Sequence, residues 1–587
     1  MPNEGPARLR RILMGSSCFV SSLRVPLAVL LLLALPGAVR AQGPATVTDA
    51  APAPEAPEAP EAPEAAEATE AAPDPEASEA APAPEPAAPP PTELVPPCLL
   101  GRDDCYLDAD GHTRRASLAY DAMRPDLESH PWQALAWEAT FLTAGIIWYW
   151  AEKQTNAVDW DYASWLDRFS ADAYRYDNNE FPMNFLFHPM AGSAFYGVAR
   201  ANELGILPSA GYAFATSFSW EYLIEFREKV SVNDLIMTAP SGIVLGEFFY
   251  KLGRYLNSAP GGGTKLQKVL AWTLGLPVAF HDWLHDRPGV PAGGARDEIG
   301  FSADFWHRFR LSYGLVAANP TTGAWFGLQD LAIDAEIVAM PGYLREGDFH
   351  RFFKDGDRAR FHLEGMFGGG GPAWEIEADL MLLGYYRQAI TASAHGRRGN
   401  ATMVGLDFAY SYRNMELDEY VDKWGSLHFP GLGLEQHVLL GPAILRFSLE
   451  ANVDFSGVHA EGYDDWQAQN PDVQGKDVLE NYAYYYGWGA STRARFDLWT
   501  PWIDAGLRFK NGYANSREGM SRRQEEVVID QHLVDTMCDV EGVIRVKPMR
   551  GLYLEASILR QHRHARIESI HDEYGLVRTM FSIGTYQ

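Results

Sequence analysis

The sequence predicts an α+β protein, in which a helical domain is followed by an antiparallel outer-membrane-type β-barrel of about twelve strands and preceded by a disordered Pro/Ala/Glu linker. Three observations carry this reading. From about Phe301 to Gln587, polar and apolar residues alternate with period two in run after run, the mark of a strand with one wet and one apolar face. Between Pro131 and Asp286 the pattern changes to helix, and the first 41 residues have the order of an export signal.

At the N-terminus, Arg8, Arg10, Arg11 and Arg24 precede the apolar run Val25–Leu35, and Val39-Arg40-Ala41 offers small residues to a signal peptidase. A signal peptide is expected over residues 1–41, since the run holds only about eleven residues against the roughly 20 of a membrane span. Residues 42–97 are almost entirely Ala, Pro and Glu. Such a stretch buries no core and its like charges extend it, so we expect a solvated spacer available to a periplasmic or cell-wall partner. The chain carries 77 acidic against 49 basic residues, a net charge of −28, which repels a polyanion; no nucleic-acid partner is expected. Cys98 and Cys105 then stand seven positions apart in an exported chain, and a small disulfide loop is expected at the head of a lead-in over residues 98–130.

The helical domain is expected over residues 131–290. Trp132–Lys153 forms an apolar helix whose uncharged part, Ala139–Ala151, is short for a membrane span and suits a packing helix. His188-Pro189 is followed by small residues and a second helix. A third, from about Ser209 to Lys229, places Glu221 and Glu225 four apart on a face shared with Phe214, Ser217 and Phe218. In the fourth, Ser231 is an N-cap and Asp234 sits in the first turn, where the helix dipole favours it. Pro240 is expected to kink or interrupt that helix, and Gly242 with Gly246 permits close packing that brings Glu247 onto a tight surface.

His188, Glu221, Glu225, Asp234 and Glu247 are therefore the candidate catalytic residues. Brought together they would hold a divalent cation or form an acid/base pair; the alternative is a buried polar network that locks helices. His281 and His285, at i and i+4, form a weaker metal candidate. No G-x-S-x-G, H-E-x-x-H or C-x-x-C occurs, and Gly261-Gly262-Gly263-Thr264-Lys265 lacks P-loop spacing. No cofactor is assigned.

The barrel is expected over residues 301–587. Leu445–Phe455 puts Arg446, Ser448, Glu450, Asn452 and Asp454 on one face and apolar residues on the other. About twelve such runs are centred near residues 311, 332, 363, 379, 408, 433, 449, 491, 506, 542, 555 and 580. A soluble sandwich would turn the apolar face inward, whereas a membrane barrel turns it to lipid and lines its lumen with charge. Arg308, Arg310, Glu375, Glu377 and Asp379 suit a wet lumen better than a dry core. Trp325, Trp374, Trp424, Trp488, Trp499 and Trp502 lie near run ends, as interfacial girdles would.

One combination is familiar. His188-Pro189 with Gly192 and Tyr196, Trp220-Glu221-Tyr222 with Glu225, Asn233-Asp234-Leu235, Gly242 and Gly246-Glu247 resembles the bacterial envelope family catalogued as domain of unknown function 3943, over about residues 184–257 and their flanks. The resemblance implies a helical segment ahead of a barrel in a Gram-negative envelope, and no established activity. The expected function is an outer-membrane structural or transport-type barrel, in contact with outer-membrane lipid, whose helical domain occludes or gates the lumen. The competing readings are an outer-membrane enzyme acting on lipid or lipopolysaccharide through His188, Glu221, Glu225 and Asp234, and a soluble periplasmic β-sandwich binding protein.

Overall fold

The computed structural model describes residues 98–587, except 101–103, 124–126, 152–168, 171–173, 226–228, 288, 321–322, 324, 369–371, 418–419, 472–476 and 517–530. The expected signal peptide and linker lie outside the described residues. The lead-in comprises β1 (Cys105–Leu107), β2 (Thr113–Arg115) and α1 (Ala116–Ala122). The helical domain comprises α2 (Pro131–Ala151), β3 (Tyr174–Arg175), α3 (His188–Ala201), α4 (Ile206–Ser219), β4 (Val230–Ser231), α5 (Val232–Leu256), α6 (Lys265–Leu274) and α7 (Leu276–Leu284). There follow β5 (Trp306–Pro320), β6 (Phe326–Val338), β7 (Gly347–Phe353), β8 (Arg358–Phe367), β9 (Ala373–Ser393), β10 (Gly396–Leu417), β11 (Tyr420–Gly441) and β12 (Ala443–His459). The chain is completed by α8 (Tyr463–Gln469), α9 (Val478–Tyr482), β13 (Tyr484–Trp499), β14 (Ile503–Ser516), β15 (Leu533–Met549), β16 (Leu552–Ile567) and β17 (Ile570–Tyr586).

Twelve of these strands, β5, β6 and β8–β17, close into one antiparallel barrel, with β17 pairing β5 and β9 pairing β10. Each of the twelve alternating runs lies in one of them. Closure leaves the barrel without a free edge, which is what allows a sheet to sit in lipid. It also excludes the two-sheet sandwich. The short strand β7 continues the wall beside β9 and carries β1 and β2. At one end β9–β10, β11–β12, β13–β14 and β15–β16 are joined by tight turns, and β6 leads to β8 through residues 339–357, which include β7; at the other, β12 leads to β13 through residues 460–483. We call these the short-turn end and the long-loop end.

Alternation decides what each face meets. Leu311, Tyr313, Leu315, Leu331, Ile333, Phe581 and Ile583 point outward and are exposed. Their inward neighbours pair across the lumen. Arg446 of β12 binds Glu336 of β6 at 2.9 and 3.0 Å, and Arg413 of β10 binds Asp539 of β15 at 2.6 Å. Lys510 of β14 reaches Glu375 of β9 at 2.9 Å, Arg578 of β17 reaches Glu364 of β8 at 3.0 Å, and Arg563 of β16 reaches Asp422 of β11 at 2.8 Å. None of these strand pairs is adjacent in the barrel. Arg358 and Arg563 are 1% and 0% exposed. Among the described residues, cavities of about 50, 40 and 30 Å³ remain between these side chains, room for a few waters at most.

The described residues of the helical domain pack outside the lumen. The side chains beneath them are Phe361, Trp374, Ile376, Ala378, Leu380, Phe408, Tyr410, Tyr412, Phe455, Tyr484 and Tyr486, the outward-facing set of β8–β10, β12 and β13. Plugging or gating from within is therefore corrected to packing from outside. The physical reason is polarity: the inward set is charged and already paired, whereas the outward set is apolar and gains by burial. The aromatic girdle also divides. Trp325 and Trp502 are exposed at strand ends, Trp374 and Trp488 pack against the helical core, and Trp424 turns inward, 5.2 Å from the Arg563 guanidinium.

Candidate functional site

The sequence begins its docking with Met183–Phe187, a single wide π turn leading into α3. Phe185, fully buried, fills a socket on the barrel wall: a Cβ on either Gly425 of β11 or Gly457 of β12 would overlap its ring. Asn184 donates to the hydroxyls of Tyr484 (2.9 Å) and Tyr486 (2.6 Å), and Tyr410 donates to the Phe185 carbonyl. The turn thus hands the next residue, His188, to α5.

On α5, Asp234 and Thr238 are four apart and face the same imidazole. Thr238 Oγ1 lies 3.3 Å from His188 Nδ1, and Asp234 Oδ1 lies 3.6 Å from Nε2. α3 and α5 can approach this closely because Gly192 and Gly242 meet backbone to backbone; a Cβ on either would overlap the other helix. Gly246 serves likewise, beneath Tyr196 and Ser193. α5 runs on through Pro240, which neither interrupts nor ends it.

The cluster continues through the α5 cap. Ser231 Oγ accepts from the Asp234 N–H at 3.3 Å, and Asn233 Nδ2 donates to Asp234 Oδ1 at 2.8 Å. The Ser231 N–H donates to Glu221 Oε2 at 3.1 Å, and Asn233 Oδ1 accepts from the Asp177 N–H at 2.6 Å. Trp220 Nε1 donates to Glu225 Oε1 at 2.8 Å. His188, Asp234, Glu221 and Glu225 are therefore brought together. The stripe expected to join the glutamates to Phe214 and Phe218 is not formed. Phe214 and Phe218 are both 46% exposed, while Glu221 is buried, because the π turn Trp220–Ile224 adds a residue and rotates the chain.

Burial, then the neighbouring Glu225 and Asp234, push the Glu221 carboxyl well above the usual carboxylate range. Burial lowers the His188 imidazole, opposed by the Asp177 charge. Thr238 Oγ1 stands within hydrogen-bond distance of Nδ1, whereas Asp234 faces Nε2 from beyond it; these contacts tie α3 to α5. As metal ligands, His188 and Asp234 supply two donors where a structural zinc site uses four.

Glu247 belongs elsewhere. Thirteen residues of helix, about 20 Å, separate it from Asp234. Tyr196 donates to it at 2.6 Å, Arg200 clamps both its oxygens at 2.8 and 3.0 Å, and Lys251 lies at 3.3 Å. These cations, Arg200 foremost, hold the fully buried carboxylate below its usual range despite burial. This is a structural clamp. Arg200, four residues after Tyr196, was legible as an i, i+4 partner; Tyr484 and Tyr486 were not, being 300 residues away in sequence.

The His281–His285 chelate is corrected. His281 Nδ1 is 2.7 Å from the Pro277 carbonyl and its Nε2 is 3.0 Å from Asn202 Nδ2, so both ring nitrogens are engaged. His285 stacks on His130 at 3.7 Å. Cys98 and Cys105 are disulfide-bonded, and Cys105 pairs with Asp348 of β7, fastening the lead-in to the short-turn end.

Compared with solved structures, the chain is similar to the translocator domain of the autotransporter NalP from Neisseria meningitidis (11% identity, 48% of this chain and 88% of that one, TM-score 0.18). It is also similar to OccK8 (OprE) of Pseudomonas aeruginosa (11%, 48% and 98%, TM-score 0.14) and to a Pseudomonas aeruginosa FadL homologue (8%, 49% and 90%, TM-score 0.17). No curated protein matches the sequence. The stretch that builds both the His188 cluster and the Glu247 clamp, residues 173–277, matches the family model DUF3943, a domain of unknown function.

Proposed function

We propose that the protein is an outer-membrane anchor: a barrel sealed by its own lumen charges, which holds the DUF3943 domain against its outer wall. The observation that carries this is the set of buried ion pairs joining strands on opposite sides of the lumen, from Arg446–Glu336 to Arg563–Asp422. Such pairs are costly to break, and the cavities between them among the described side chains are about 50, 40 and 30 Å³. The tight turns favour the short-turn end, to which the lead-in is fastened through β1 and β7, as the periplasmic one. Outer-membrane lipid is then the partner of the exposed belt. The test is conductance of the purified full chain in planar bilayers. No ohmic steps above the bare lipid are expected; a stable conductance would overturn the sealed-barrel reading and restore transport.

A second reading, an enzyme acting on lipid or lipopolysaccharide, is favoured by His188 standing between Thr238 and Asp234, beside the exposed Phe187 and Met190. It predicts that His188→Ala changes the lipid profile of cells while the barrel keeps its heat-modifiable migration on gels. An unchanged profile removes this reading.

A further inference from the structure

We infer that the outward face of the helical layer is itself a lipid-contact surface, covered by bilayer acyl chains in continuity with the bare barrel wall; this rests on the membrane-barrel reading. The register supplies the continuity. One ladder row runs Leu311 (β5), Ile333 (β6), Leu363 (β8), Ile376 (β9), and the next runs Tyr313, Leu331, Gly365, Trp374. At the β5 and β6 end these rows are exposed; at the β9 end they lie under the helical core. The helices thus occupy the level of the wall where lipid would otherwise stand.

What they present in its place is apolar. Leu207 is 82% exposed, Leu223 55%, Phe214 and Phe218 46% each, and Phe249 44%. Phe249 packs beside Phe361 of the wall and so marks the seam between helix and barrel. The charged groups of α5 point the other way, with Glu247 clamped by Arg200 and Asp234 against His188. α5 extends along the wall from the Ser231 cap to Tyr255, which packs on Phe301, Phe305 and Phe309 at the β5 entrance. Its 25 residues span about 37 Å, comparable with a bilayer's hydrocarbon core. No described helix is long and apolar enough to cross a membrane unaided, so the barrel is what carries the layer into lipid.

The short-turn end has the chemistry of an interface. α6 buries Gln267 and Ala271 and exposes Leu266, Val269 and Trp272, flanked by Lys265 and Lys268; Trp283 of α7 and Trp132 of α2 are exposed nearby, as Trp502 is on the barrel. Tryptophan and lysine at one level, with aliphatic and phenyl side chains beyond it, are the arrangement of a membrane-surface helix.

The test is site-specific photocrosslinking. A benzophenone amino acid is placed singly at Leu207, Phe214 or Phe218 of the full chain, at Phe581 as the bare-wall reference, and at exposed Asp110 as the aqueous reference. Each variant is reconstituted in vesicles of radiolabelled phosphatidylethanolamine and phosphatidylglycerol, with heat-modifiable migration as the check of fold. Lipid adducts at the three helix positions equal in yield to that at Phe581, and none at Asp110, are expected. Adduct at Phe581 with loss at the helix positions overturns the inference and leaves the barrel reading intact. Adducts to a second copy at the helix positions overturn it in favour of a dimer face. Loss at Phe581 as well overturns the membrane-barrel reading itself.

Discussion

On the inner face of β8 and β9, Arg360 and Asp379 are ion-paired at 2.9 Å; one residue further along each strand, Phe361 and Leu380 face outward beneath the helices. The two sides of this wall are held by unlike forces. Inside, charge meets charge across a filled lumen, and each pair is retained because losing one partner strands the other in a low-dielectric site. Outside, the helical layer is held by shape: Phe185 in a socket made by two glycines, α3 against α5 with backbones touching, and three tyrosine hydroxyls to fix the register. The lesson is that the outward glycines Gly425 and Gly457 mark where the helical layer docks, each leaving the space that the Phe185 ring fills.

If the two sides are independent, changes on one should spare the other. Gly242→Leu forces a side chain into the α3 backbone, and overpacking on that scale costs about 3 kcal/mol or more. We expect the helical layer to become protease-sensitive while the barrel keeps its gel shift. Arg563→Ala strips Asp422 and Asp535 of their shared cation, a loss of about 3–5 kcal/mol. It should lower the temperature at which the gel shift disappears without exposing the helices to protease, and added salt should not rescue a buried site. Phe185→Ala empties the socket at about 3 kcal/mol and should loosen the layer as Gly242→Leu does, to a smaller extent. Protease sensitivity unchanged by Phe185→Ala would break the comparison.

The smallest expected effect is one of pH. The Glu221 carboxyl keeps its proton in the folded layer above the unfolded value of about 4.3. The folded state therefore binds more protons, and its stability falls as pH rises from there through the raised folded value. Glu221→Gln should match the wild type in acid and gain on it towards alkaline pH, read as protease resistance of the helical layer. Parallel profiles for the two proteins would assign that dependence to other groups.

Much of the architecture was legible. The twelve alternating runs needed only period two, and Ser231, Gly242 and Gly246 announced the cap and the tight helix contact by residue type alone. The candidate cluster was half legible. His188, Glu221, Glu225 and Asp234 converge as their placement on short neighbouring elements suggested, but Glu247 is a helix length away, and the π turn at Trp220 breaks the 3.6-residue face that joined Glu221 to Phe218.

Local pattern by itself determined which residues form strands and helices and which strand face is wet, because both follow from periodicity within a few residues. It could not say whether the apolar outer face meets lipid or protein, since both make the same demand on a side chain. That choice, and with it the placing of the helical domain on the barrel's flank rather than across its lumen, was decided by contacts such as Phe185 with Gly425 and Gly457, and Asn184 with Tyr484 and Tyr486. Those partners lie 240 to more than 300 residues apart and are brought together only by closure of the barrel.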